Sequence, residues 1–360
     1  MKRHSREPEP SSRAFDVGGP GQKQRGALSA ASDPILPDLD RGVGRDIVTG
    51  WAFGVLVLAA LVLVVLHFSD IAELITLARS ARPEWLLLAL LAQAGTYLCA
   101  GSVLREALKQ AGRKVPLRRL ATLGLVKLFA DQAVPSVGLS GTILLLRGLA
   151  RRDIPATMTM SALLVDVVSY YGAYLTAVLI GVGLLWVNHR ANAAVLAGAT
   201  IFAAVAVAIP VILLWLRHLG RVSLPTWTNR FPKAVTLLRA VVAAPSDALL
   251  SRSLMIKVTL LQLSIFLLDS LTLWLSFQAL GHAPPFWNCF VAFVVASAAA
   301  TIGPIPLGLG TFEAACVAIL HVLGVPLSHG LAATLLLRFL TFWLPMVPGV
   351  LLTRHEFGFD

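Results

Sequence analysis

Charge is scarce in this 360-residue chain. Only 14% of its residues are Asp, Glu, Lys or Arg, against 57% hydrophobic, where a soluble domain carries about 25% charged residues. That shortage excludes an ordinary water-soluble domain. Cysteine is nearly missing too. Cys99, Cys289 and Cys316 all lie in apolar runs, which is neither a disulfide framework nor a metal spacing. No His/Glu metal pattern, nucleophile elbow or P-loop occurs. Gly308-Leu309-Gly310 is no dinucleotide fingerprint, because no strand precedes it and a third glycine is missing. Neither a metal nor a cofactor is expected, no catalytic residue stands out, and the chain does not read as an enzyme. His67, His189, His282, His321 and His329 sit at the ends of apolar runs, as interfacial histidines do.

What the chain has instead is oil in long runs, several of them reaching the roughly 20 residues a transmembrane helix needs. Spans are expected over Ile47 to Leu66, Trp85 to Val103, Ala156 to Trp186, Ala191 to Leu216, Leu254 to Leu280 and Thr334 to Leu352. A short amphipathic piece carrying Ile71, Leu74, Ile75 and Ala78 follows the first span and is expected to end at Pro83. Residues 1–46 are polar and rich in Pro, Gly, Ser and Arg, so they read as a disordered tail. The first apolar run begins too late for a signal peptide. The segment 217–252 is polar and basic, and residues 353–360 form a short C-terminus. The net charge of +11 would point to nucleic acid in a soluble protein. Here the basic residues fall in short loops, where they orient the chain in a membrane, and no nucleic-acid partner is expected.

Two Pro/Gly breaks interrupt this pattern. One is Gly303-Pro304-Ile305-Pro306-Leu307-Gly308-Leu309-Gly310-Thr311, between Phe290 to Ile302 and Ala314 to Leu320. The other runs from Pro135 through Gly138 and Gly141 to Thr142. Prolines and glycines of this density cannot continue a helix. Irregular backbone at membrane depth must be buried in protein or line a wet cavity, and such breaks mark binding sites and pathways in transporters. Each break reads as a re-entrant hairpin, the first over about 120–150 and the second over about 286–323. Pro135 to Pro155 and Pro306 to Pro326 are both 20 residues apart, and a long span with one early charge follows each, Asp166 or Arg338. The expected fold is therefore an all-α polytopic membrane protein: about six full transmembrane helices plus two broken re-entrant hairpins in an inverted repeat.

Charge sets the orientation. With the hairpin topology and a cytoplasmic N-terminus, cytoplasmic segments hold 25 of the 30 Lys and Arg, and outside loops hold only Arg79, Arg82 and Arg190. A full crossing at 120–134 would place Arg147, Arg151, Arg152 and the basic 217–252 loop outside, against the positive-inside rule. Both termini are then cytoplasmic, the membrane being the cell's inner one, and the two hairpins enter from opposite sides.

The ionisable residues inside the expected membrane region are Lys127, Asp131, Asp166, Asp269, Glu313 and Arg338. Each costs at least about 2.5 to 3.5 kcal/mol there, so each faces the bundle interior and finds a partner. Lys127 and Asp131, four apart, can pair on one helix. Asp166, Tyr170 and Tyr174 share a face, as do Gln262, Asp269 and Ser276, and Thr334, Arg338 and Thr341. Three polar stripes fit either a wet substrate pathway or hydrogen bonding between helices. Glu313 lies at the start of the helix after the second break, with Thr311 as the expected N-cap. A carboxylate there suits the helix dipole, and it is also free to pair with Arg338 or with a substrate amine.

The turn Pro304-Ile-Pro-Leu-Gly-Leu-Gly-Thr-Phe-Glu313, followed by Leu323-Gly-Val-Pro326 and a span with Arg338, resembles the signature of the membrane-domain family of lysylphosphatidylglycerol synthases, the flippase-like domain family. The first break with its downstream Arg-rich turn and Pro155 resembles that family's earlier proline–glycine motif. The resemblance covers roughly residues 47–352. Many members carry an Arg and a Glu in the first motif, where this chain has Val137 and Ser140, so the resemblance does not imply a charged headgroup clamp there. The sequence ends at Asp360, so the soluble aminoacyl-transferase domain of the full-length synthases is not expected and aminoacylation by this chain is not implied. The resemblance implies translocation or presentation of a polar membrane lipid between leaflets. The alternatives are an accessory to a lipid-synthesis or glycosyltransferase partner enzyme, and an ion-coupled small-solute transporter.

Overall fold

The computed structural model describes residues 81–133, 139–189, 193–218, 251–303 and 308–357. Among these the chain is helical throughout, with no strand: α1 (Pro83–Gln110), α2 (Leu117–Ala133), α3 (Leu139–Ala150), α4 (Ala156–Val187), α5 (Ala193–His218), α6 (Arg252–Ala279), α7 (Phe286–Ile302), α8 (Thr311–Val322), α9 (Leu327–Arg338), a π-helical turn (Phe339–Trp343) and α10 (Leu344–Phe357). Among the described residues four helices are long and apolar enough to cross a membrane: Pro83–Gln110, Ala156–Val187, Arg252–Ala279 and Leu327–Glu356. Ser140–Ala150, Leu196–Ile212, Phe286–Ile302 and Thr311–Val322 are shorter apolar helices. The expected first span at Ile47 to Leu66 and the amphipathic piece after it lie outside the described residues. So do Pro135, Gly138, Pro304, Pro306 and most of the 217–252 loop.

Some expected boundaries need correction. α1 opens at Pro83, two residues before the expected start at Trp85, because proline at the first helical position gives up only an N–H that has no partner there anyway. The same helix runs seven residues past the expected end at Val103, to Gln110. Its Glu106 meets Lys257 of α6 at 2.8 Å, which gives the charged last turns an anchor. The last span likewise begins at Leu327, not Thr334, and passes through the π-helical turn.

Among the described residues two large apolar cores and two smaller ones hold the bundle. One large core gathers Val103 and Leu108 of α1, Leu120 and Leu123 of α2, Leu145 and Leu149 of α3, Met160 and Leu164 of α4, and Val258 of α6. The other large core gathers Ala173 and Leu185 of α4, Phe202 of α5, Phe277 of α6, Phe290 of α7, Cys316 and Leu320 of α8, and Leu337 of α9. The first core thus holds the α2–α3 pair with the end of α1 and the starts of α4 and α6. The second holds the α7–α8 pair with the ends of α4 and α6. Both pairs are antiparallel hairpins. A Cβ on Gly148 of α3 would meet Leu123 of α2, and one on Gly308 would meet Ala300 of α7 at 2.4 Å.

The pairing of helices repeats. α1 packs on α2 as α6 packs on α7, α2 on α3 as α7 on α8, α3 on α4 as α8 on α9, and α2 on α10 as α7 on α4. The most extensive contact joins α1 to α6, with Trp85 and Trp274 edge to face at 6.2 Å. Leu87, Leu91 and Leu98 of α1, Leu179 and Trp186 of α4, and Ile256 and Leu260 of α6 point away from the bundle. Apolar surface on this scale suits contact with lipid and not with water.

Candidate functional site

A cavity of about 280 Å³ opens between α1, α2, α4, α6 and the π-helical turn. Its polar lining comes from Gln93, Thr96 and Tyr97 of α1, Lys127 of α2, Asp166 of α4, Asp269 of α6 and Thr341 of the turn. Residues 93, 96, 97 and 100 follow helical spacing, so one face of α1 turns to the cavity. The π-helical turn begins directly after Arg338 and presents Thr341, whose hydroxyl also donates to the Leu337 carbonyl at 2.9 Å. A local widening of this kind often accompanies a functional site.

Within the cavity, Gln262 donates to Asp166 Oδ1 at 2.8 Å, tying α6 to α4. Lys127 Nζ donates to Asp131 Oδ2 at 3.1 Å, one turn along α2, and lies in the field of Asp166 as well. The lysine side chain keeps 30% of its surface and Asp131 18%. Asp269 is approached by the Gln93 amide. Lys127, Asp166 and Asp269 thus lie together in one cavity.

Asp131 has a second task. Its Oδ1 accepts from the backbone N–H of Gly141 at 2.9 Å, while Ser140 Oγ donates to the Ala130 carbonyl at 2.9 Å. The carboxylate therefore clasps the start of α3 to the end of α2. Gly141 is required at this point because a Cβ would sit 2.5 Å from both Asp131 Oδ1 and the Lys127 carbonyl.

Glu313 makes the matching clasp at the second hairpin. Its Oε2 accepts from the Gly310 N–H at 2.7 Å, and its Oε1 from Arg338 Nε at 2.7 Å. Arg338 Nη2 also donates to the Gly308 carbonyl at 3.2 Å, and its guanidinium lies 4.3 Å from the centre of the Phe312 ring. Gly310, not Thr311, is the N-cap of α8. Its φ of 81° falls in a region that glycine enters freely, so Thr311 becomes the first helical residue. Gly308, with φ 63°, is doubly constrained by its conformation and by Ala300. The side chains of Glu313 and Arg338 are 6% and 14% exposed, and neither lines the polar cavity.

Tyr170 and Tyr174 both turn their rings to an aromatic cluster, with Tyr170 still in the field of Asp166 and Asp269. They stack with Phe266 at 5.7 and 4.7 Å, and Tyr174 lies 4.3 Å from Phe202. Thr334 donates to the Gly330 carbonyl and to Cys316 Sγ, and Ser276 to the Thr272 carbonyl. Their stripes are therefore partly hydrogen bonding inside the bundle. Gln93, Thr96 and Tyr97 are the lining residues that sequence reasoning missed. The signal was a polar i, i+3, i+4 triplet in the middle of an apolar run. Among the described residues no group of three His, Cys, Asp or Glu is placed to hold a metal ion.

Long apolar helices around a charged interior cavity, with lipid-facing leucines outside, define a multi-pass membrane protein. The chain belongs to the lysylphosphatidylglycerol synthase transmembrane-region family, whose model matches residues 51–349. No curated protein matches it.

Proposed function

We propose that this protein moves a polar lipid between membrane leaflets by sheltering the headgroup in the cavity while the tails stay in the bilayer, and that it does so without covalent chemistry. The observation that carries this reading is the meeting of Lys127, Asp166 and Asp269 in one cavity inside a bundle with an apolar exterior. Intramembrane charges are expensive and mark pathways. In this reading α2–α3 and α7–α8 are re-entrant hairpins of an inverted repeat, supported by the matched helix pairings and by the two large cores at opposite ends of the bundle. The basic turn at Arg151 and Arg152 meets Glu356 near the chain's end, which fits a common cytoplasmic side. The site is then in the cell's inner membrane, with both termini cytoplasmic.

The test is reconstitution. Headgroup-labelled phosphatidylethanolamine and phosphatidylglycerol are placed, in turn, in proteoliposomes, and outer-leaflet accessibility is followed with time. Wild type speeds equilibration of at least one of these lipids, and Lys127→Gln and Asp166→Asn slow it severalfold at equal insertion. Equilibration no faster than in empty vesicles, or unaffected by both substitutions, refutes the proposal.

A further inference from the structure

The charges around the cavity do not balance. Among the described residues Asp131, Asp166 and Asp269 face one cation, Lys127, and that lysine is bonded to Asp131 while it lies in the field of Asp166. The other nearby cation, Arg338, is spent on Glu313 and the Gly308 carbonyl. Asp166 has the Gln262 amide as well. Asp269 is left with neutral neighbours: Gln93 and Tyr97 of α1, Tyr170 of α4 and Thr341 of the π-helical turn. Among the described residues no cation pairs with it. A carboxylate inside a membrane bundle without a counter-charge keeps company with a cation or takes up a proton. Ionisable residues in this position are the working parts of proton relays in other membrane proteins.

Building on the lipid-translocation reading, we propose that Asp269 is a proton-carrying site and that the protein moves its lipid together with protons. On one side of the membrane a hydronium ion gives its proton to an Asp269 carboxylate oxygen and leaves as water. On the other side water accepts the proton and the carboxylate is restored. No electron changes hands and no other reactant is needed. Protonation removes one negative charge from the cavity, so the balance against Lys127 shifts toward neutrality in that step. Gln93 is placed to serve both forms, since its amide can donate to the carboxylate or accept from the acid.

The experiment uses the full chain in proteoliposomes with headgroup-labelled phosphatidylethanolamine and phosphatidylglycerol, a trapped pH dye and an imposed pH gradient. Wild type should admit protons as lipid moves, and reversing the gradient should reverse the direction of lipid accumulation. Asp269→Asn, checked for normal insertion, should lose both responses, and Asp269→Glu should keep proton entry. Infrared difference spectra give a readout that needs no transport. A protonated-carboxyl band should titrate with bath pH, disappear in Asp269→Asn and shift in Asp269→Glu. Lipid movement without proton entry overturns the proposal, as does lipid movement driven by a sodium gradient at clamped pH. So does a band unchanged in Asp269→Asn. Selective slowing of amine-bearing headgroups in Asp269→Asn, with no proton flux, would make Asp269 a headgroup ligand instead. Absence of lipid movement with a titrating, Asp269-dependent band would remove the translocation reading and keep the proton site.

Discussion

Removing either half of the Glu313–Arg338 clasp should cost more than removing both. Glu313 accepts from Arg338 Nε and from the Gly310 N–H, both at 2.7 Å, and both partners are mostly buried. In Glu313→Gln the amide oxygen still accepts from Gly310, but Arg338 is left with only the Gly308 carbonyl and the Phe312 face. An orphaned buried charge of this kind costs about 3 to 5 kcal/mol. Arg338→Gln strands Glu313 in the same way, although the helix dipole of α8 offsets part of the loss. The pair Glu313→Gln with Arg338→Gln has no buried charge left, and its two amides can hydrogen-bond. A cost of about 1 to 2 kcal/mol is expected, the worth of one or two neutral hydrogen bonds. Exchanging the charges, Glu313→Arg with Arg338→Glu, should not rescue, because a guanidinium cannot accept from the Gly310 N–H and a cation at the start of α8 opposes the dipole. The assay is thermal unfolding of the purified protein in detergent, followed by tryptophan fluorescence and by size-exclusion recovery. The predicted order of stability is wild type, then the double Gln variant, then either single variant. An exchanged variant as stable as wild type, or single variants no weaker than the double, would refute the clasp.

Gly141→Ala should lower folded yield sharply, since its methyl would meet the Lys127 carbonyl at 2.5 Å, whereas Gly183→Ala, with open space around it, should leave yield unchanged in the same expression test. Burial and the neighbouring His329 hold the His282 imidazole below its usual value. That group sits in the turn between α6 and α7, and the fold favours its neutral form. Its contribution is present above the unfolded value of about 6.5 and is lost as pH falls through the lower folded value. Acid destabilisation measured by thermal unfolding should therefore weaken in His282→Gln. Arg113→Cys and Asp153→Cys, on a background without Cys99, Cys289 and Cys316, should label from the cytoplasmic side and Ala283→Cys from the outside. Labelling of all three from one side would contradict the inverted topology.

The elements that local chemistry dictates were legible in the sequence. Long apolar runs become α1, α4, α5, α6 and α9–α10, while Gly141 and Thr142, expected in the first break, lie inside α3. Lys127 and Asp131 pair as their four-residue spacing allows. What could not be read depends on how helices cross. Asp166 finds Gln262, 96 positions away, and nothing in either helix alone names the other. The shared face of Asp166, Tyr170 and Tyr174 divides in the fold, because Tyr174 packs on Phe202 and Phe266 while Tyr170 stays in the field of Asp166 and Asp269. Arg338 was legible as an intramembrane charge, but the π-helical turn beside it was not. No proline or glycine occurs within Phe339–Trp343 to announce a change of helical pitch, and the tighter or wider turn is decided by packing.

The two clasps show why one half of the protein is the better place to look for chemistry. Each ties a backbone N–H at the start of a returning helix to a carboxylate, and each carboxylate carries a cation. At the second hairpin the device closes on itself: Glu313 has one arginine, and that arginine's Nη2 also donates to the Gly308 carbonyl while Phe312 covers its face. At the first hairpin the cation is a lysine, a compact charge on a flexible stem with donors free to turn. Lys127 lines the cavity and lies in the field of Asp166 while it holds Asp131. Anything that changes the charge of the cavity therefore acts on Lys127, and through Asp131 on the N–H of Gly141. The first clasp links the state of the cavity to the join between α2 and α3, whereas the second, buried and self-neutral, holds α8 to α9 in either state.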